Sequence, residues 1–143
     1  MGIEAIGTAI ATAISGISSI EGAYGPAALR QIIPTTPWGL VLQGPVEYHA
    51  TFDNSTETYG AYSVGFRVII LLGKEDQPTV LNNLIDYIET SGNDSVIAAI
   101  EADHTLGGAC DFCVVTGASD PGFTEWGGAK YYSVEFDLHA EKY

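Results

Sequence analysis

The chain has 143 residues, 46% of them hydrophobic and only 16% charged, a balance that supports a folded domain with a sizeable core and excludes a disordered chain. Five basic residues (Arg30, Arg67, Lys74, Lys130, Lys142) stand against eighteen acidic ones, a net charge of −13. That shortage of cations argues against gripping DNA, RNA or an anionic membrane through phosphates, and two cysteines are too few for a disulfide framework.

The length fits one domain over residues 1–143. At its start Ile3, Ile6, Ile10, Ile14, Ile17 and Ile20 recur at steps of three and four, which predicts one amphipathic helix over about residues 1–20. Thr, Ser, Gly and Ala separate the isoleucines, so the stretch lacks the all-round apolarity of a membrane span. No basic segment precedes it and Glu4 and Glu21 bracket it, so it is not read as a secretory signal, and the chain is read as cytosolic. Residues 21–39 form a connector punctuated by Gly22, Gly25-Pro26, Pro34 and Pro37.

Leu40 to Phe52 alternates like a strand, with Val46, Tyr48, Ala50 and Phe52 on one side and Glu47, His49, Thr51 and Asp53 on the other. A polar hairpin loop from Asp53 to Thr58 leads to a second strand, Tyr62 to Leu72. Its Val68–Leu72 run is apolar on both faces and predicts a central position. Pro78 then opens a helix whose Val80, Leu81, Leu84, Ile85 and Ile88 share one side. Gly92 ends that helix, and Asn93, Asp94 or Ser95 caps a second one bearing Val96, Ile97, Ala99 and Ile100. Gly107-Gly108 turns the chain into a third strand at Cys110–Val115. Thr116 to Gly128 reads as a glycine-rich loop, and Lys130 to Ala140 as a fourth strand with Tyr132, Val134, Phe136 and Leu138 inward. The expected fold is α+β: a mainly antiparallel four-stranded sheet with helices packed on one face, in the order α-β-β-α-α-β-β.

Cys110-Asp-Phe-Cys113 is the one motif that hints at thiol chemistry, a small redox protein being the alternative class of function. A reactive pair wants a helix N-terminus, whereas residues three apart in a strand point to opposite faces, so both cysteines are read as small core residues. A zinc site would need His104 and His139 beside them and lacks a second closely spaced pair. Neither Glu75-Asp76 nor Glu101 with Asp103 departs from ordinary solvated or capping carboxylates. Gly107-Gly108 precedes a strand, not a helix, so it is no phosphate loop. No catalytic residue, metal or cofactor is expected. The aromatics Tyr59, Phe123 and Trp126 either anchor an interface or fold back over the core.

Three stretches carry a resemblance: Y-S-V-G-F-R-V-I-I-L-L at Tyr62–Leu72, L-x-x-L-I-D-Y-I at Leu81–Ile88, and S-G-N-D-S-V-I-A-A-I-E-A-D-H-T-L-G-G at Ser91–Gly108. A closing strand, Y-Y-S-V-E-F-D-L at Tyr131–Leu138, follows them. Together they resemble the tail terminator (tail completion) proteins of long-tailed bacteriophages, from roughly Pro34 to the C-terminus. Cys110 and Cys113 stand where that pattern would carry Val or another apolar residue. The resemblance implies a non-enzymatic structural protein of the virion, located at the head–tail junction after assembly in the host cytoplasm. It would close as a ring, a hexamer, on the finished tail tube, stop polymerisation and present a joining surface to the head connector. Its implied partners are further copies of itself, the tail tube protein and the head–tail connector protein. DNA would pass through its channel without specific binding, helped by acidic walls that repel phosphate, and no membrane is involved. A head-completion or neck protein is the alternative within the same class. Interface candidates are Asp53, Asn54, Glu57 and Tyr59 of the hairpin, which would contact the tube, together with Phe123 and Trp126.

Overall fold

Residues 2–48, 62–74, 84–119 and 121–142 are described by a computed structural model. Among them the order is α1 (Ile3–Ser15), β1 (Gly22–Tyr24), β2 (Trp38–Tyr48), β3 (Tyr62–Lys74), α2 (Leu84–Ile88), α3 (Val96–Glu101), β4 (Phe112–Ala118), β5 (Gly122–Trp126) and β6 (Ala129–Lys142). The class is α+β, as the patterning implies. The four-stranded sheet and its element order are corrected: one sheet holds six strands, ordered β1-β2-β3-β6-β4, with β5 paired to the free end of β6. All pairings are antiparallel except β1 with β2.

Both additional strands lie in stretches read as irregular. β1 occupies three residues of the connector, too short for any periodicity to show, and Tyr24 holds it by an edge-on contact with Trp38 of β2, ring centroids 5.1 Å apart. β5 and the end of β4 occupy the Thr116–Gly128 stretch. Gly127 and Gly128 both have positive φ (59° and 83°), the two-residue hairpin geometry that matches sheet twist, and they join β5 to β6. Glycine-rich sequence here marks a tight hairpin rather than a loop.

α1 stops at Ser15, five residues before the predicted end. Gly16 caps it, and Ile17 and Ile20 then continue the apolar stripe through tight turns (Ile17 N–H to Ile14 O 3.1 Å, Ile20 N–H to Ile17 O 3.0 Å). Ile6, Ile10 and Ile14 are fully buried, each contributing about 1.5–3 kcal/mol of transfer free energy. They share one core with Val41, Val68, Ile70, Val134 and Phe136 of the sheet and with Tyr87, Val96 and Ile100 of the other helices. All three helices thus pack on one face of the sheet. The other face has a smaller cluster, Leu40, Ile69, Leu71 and Tyr131, against which Ile33, Trp38 and Trp126 pack. β3 is central because it must serve both layers, and its residues from Val68 to Gly73 are all buried.

One side-chain assignment changes. Ile85, expected on the buried side, is 67% exposed, and Tyr87 takes the buried place in the one-turn helix α2. Tyr48, on the same side of β2 as the half-buried Val46, is 74% exposed. The predicted helix start at Pro78, the hairpin loop and His49 lie outside the described residues.

In the segment Ser91–Gly108 the cap falls where the sequence puts it, but the helix is shorter than expected: α3 ends at Glu101, and turns rather than helix run on to Gly107-Gly108. Gly92 has φ 109°, and Ser95 is the N-cap of α3, its Oγ accepting from Ala98 N–H at 3.0 Å while its hydroxyl donates to Glu89 O. Val96 and Ile100 enter the core. Asp103 accepts from Thr105 N–H (3.1 Å), Thr105 Oγ–H (2.8 Å) and Gly107 N–H (2.9 Å), fixing the turn that Gly107 and Gly108 complete at positive φ. The Thr105 hydroxyl, first, and the two backbone amides hold its carboxyl below the usual carboxylate range.

Candidate functional site

The aromatics on β5 divide. Trp126 folds back: its Nε1–H donates to Arg30 O at 2.6 Å and its ring packs against the Leu40–Ile69–Leu71–Tyr131 cluster. Phe123, facing the other way on the same strand, stays 55% exposed. It leans on Tyr132, its cross-strand partner, with centroids 4.7 Å apart, and Lys130 Nζ lies 5.5 Å from the ring centroid. Phe123 is therefore a braced, solvent-facing aromatic, the arrangement that suits an interface anchor. Asp53, Asn54, Glu57 and Tyr59 fall outside the described residues.

Trp126 also reveals a feature the sequence did not disclose. The connector between β1 and β2 lies as a strap over the second core. Trp126 holds it at Arg30 O, Tyr24 Oη–H donates to Ile32 O at 2.6 Å, and Ile33 inserts into the small cluster. The hairpin turn presses directly on it: a Cβ on Gly127 would collide with the carbonyl oxygen of Gln31. With its carbonyls fixed, the strap presents Leu29 (36% exposed) and Ile32 (78% exposed) outward, beside the exposed Arg30. The signal available in sequence was Ile32-Ile33 within a polar, proline-rich run: one of the pair anchors and the other is displayed.

Cys110 and Cys113 do not point to opposite faces as expected. Cys110 precedes β4 instead of belonging to it, so strand alternation does not apply, and both side chains enter the helix-side core. Cys110 Sγ lies 3.8 Å from His104 O and 3.7 Å from Thr105 O. Burial pushes the Cys113 thiol up to about 12, with Cys110 and Glu101 adding to the shift. The Cys110 thiol is raised as well, by burial first and then by Asp111. Both sulfurs are thus free thiols held in their protonated form at neutral pH. His104 lies on an exposed turn, and His139 lies on the face opposite Cys113, bonded to Glu141 Oε2 at 2.9 Å. The four suggested zinc ligands are not brought together, and no cluster of three or more metal-ligating side chains forms among the described residues.

Hollows mark both sides of the sheet, among them the following. On the open sheet face a depression of about 300 Å³ lies between Gln43, Gly44, Pro45, Gly65, Arg67 and Asp137. Arg67 there pairs with Glu135 at 3.4 Å, an exposed bond that carries little stability. On the helix side a wider groove of about 460 Å³ runs between α1 (Glu4, Ala5, Thr8, Ala9) and Leu106 with Ala109. No described helix is long and apolar enough to cross a membrane. Neither a scan against protein-family models nor a search of curated proteins finds a match to this chain.

Proposed function

We propose that this chain is a structural virion protein, a tail terminator that closes as a ring on the tail tube of a long-tailed bacteriophage, stops its growth and offers the joining surface to the head connector. The observation that carries the reading is the behaviour of Ser91–Gly108, the most specific part of the resemblance. Gly92, Ser95, Asp103, Gly107 and Gly108 set its backbone, while Val96 and Ile100 fill the core. The resembling letters are thus ones that set the local backbone and core packing of this segment. The warrant for the role itself is that likeness of pattern.

The surface is consistent with assembly work. Phe123, Ile32, Tyr48 and Ile85 are large apolar side chains left at least half exposed, and such residues commonly anchor protein interfaces. A ring demands two different complementary patches on each copy. The net charge of −13 suits a channel through which DNA slides without sticking. The high thiol pKa values support packing roles for Cys110 and Cys113 over thiol exchange.

The test is tail morphology by electron microscopy after silencing the gene in a phage that carries it. Overlong headless tails of variable length are the expected result. Normal-length tails beside filled, unattached heads would move the protein to a head-completion role, and intact infectious virions would refute a structural function.

A further inference from the structure

The two ends of β6 carry complementary surfaces. The strand runs from Ala129 to Lys142, which separates its ends by roughly 40 Å at the rise of an extended chain. At the Ala129 end the hairpin turn clamps the strap, so Leu29, Arg30 and Ile32 are displayed there on a backbone held by Trp126 and Tyr24. At the Lys142 end lies the groove formed by α1 with Leu106 and Ala109. Tyr62 pairs with Lys142 and abuts Gly2 at the start of α1, and Asp111 N–H bonds Glu141 O just after the groove's loop. One end is an apolar knob bearing a cation; the other is a partly apolar groove with the exposed Glu4 on its lining.

We infer that the Leu29–Arg30–Ile32 strap of one copy docks into the α1–Leu106 groove of the next, with Arg30 facing Glu4. The occupant is a second copy of this chain, and what selects it is charge. In a molecule with five cations and eighteen acids, like-charge repulsion disfavours most mutual approaches. Arg30 is a cation carried on the displayed apolar strap itself, with Lys74 and Lys130 at the same end of the sheet. Glu21 and Glu125 temper that end, and Lys142 tempers the other, but Asp103 and Asp111 join Glu4 around the groove end. The root of the strap, Gly25 to Ala28, packs on one flank of α1 at Gly7, Thr8 and Ala11, while the groove lies along Glu4, Ala5, Thr8 and Ala9. Because knob and groove are different surfaces, the contact is heterologous and propagates head to tail, closing as a ring when its rotation permits. The strap needs no ordering on docking, since its carbonyls are already fixed. This contact is the subunit joint of the ring proposed above and rests on that reading for its biological setting, although the joint itself is a property of the isolated protein.

The test is sedimentation velocity of the purified full chain over a wide concentration range at low ionic strength, with Arg30→Glu, Glu4→Arg and their equimolar mixture. Wild type should self-associate, and each single variant, which faces like charge with like, should lose about tenfold or more in affinity. The mixture should recover association, because the carboxylate introduced at position 30 of one copy then meets the guanidinium introduced at position 4 of the next. At the alternate joints the unaltered Arg30 and Glu4 meet as they do in wild type. Circular dichroism of both variants establishes that they fold. A wild type that stays monomeric throughout, variants that associate as well as wild type, or a mixture that fails to recover would each overturn the contact. A wild type that stays monomeric beside overlong tails in the silenced phage would overturn only this contact, whereas wild-type association reversed by charge alongside intact virions would overturn only the virion role.

Discussion

Ser95 ties two helices together through one oxygen, and replacing it by alanine measures that tie. Its side chain is almost fully enclosed (1% exposed), accepts from Ala98 N–H and donates to Glu89 O. Loss of an N-cap oxygen costs about 1 kcal/mol. Loss of the second bond, to the carbonyl just past α2, costs about 1 kcal/mol more. Ser95→Ala should therefore destabilise the fold by about 2 kcal/mol. In urea unfolding that is a fall of about 1 M in midpoint, given the slopes usual for small proteins. Hydrogen exchange supplies the local readout, because the Ala98 amide loses its acceptor and its protection should fall. A midpoint shift worth less than about 0.5 kcal/mol, with Ala98 still protected, would refute the idea that this serine joins α2 to α3.

The two turn glycines should respond unequally to alanine. At Gly128 the new methyl meets open space, so Gly128→Ala costs only the left-handed backbone strain of about 1–2 kcal/mol. Gly127→Ala adds a collision with Gln31 O and should cost about 1–3 kcal/mol beyond that; equal thermal midpoints for the two variants would disprove the strap contact. Cys113 makes stability depend on alkaline pH. Its thiol stays protonated in the fold until about 12, so as pH climbs past the free-thiol range near 8.5 the unfolded chain loses a proton that the folded chain keeps. Stability from this group is then fully present below that range and declines by up to about 1.4 kcal/mol per pH unit above it. Denaturant titrations between about pH 8 and pH 10 should show Cys113→Ala with a shallower decline than wild type, and identical slopes would contradict the assignment.

How much of this was legible in the letters depends on whether the deciding force is local. The cap and the left-handed glycines of Ser91–Gly108 were readable because they act within a few residues, whereas the turn built on Asp103 was not, its carboxylate being read as an ordinary solvated or capping one. β6 was readable because Val134, Phe136 and Leu138 alternate over a long run. β1 was not, since three residues carry no period and their order comes from β2 and Trp38. Cys110 misled because face assignment requires knowing where the strand starts, and β4 begins two residues later. The displayed side chains were least readable of all. Nothing local tells Ile32 from Ile33 or Phe123 from Trp126; the difference is made by Arg30 and Tyr24, which lie elsewhere in the chain or in the fold.

Glu101, at the last turn of α3, reaches down to accept the N–H of Val115 on β4 at 3.2 Å. β4 is the outermost strand on its side of the sheet, where an uncovered amide would invite another extended chain to add itself alongside. A single carboxylate laid across that margin occupies the amide and sets a negative charge in the path of any strand sliding in. The molecule thereby guards this one margin of the sheet against the indiscriminate addition of a further strand.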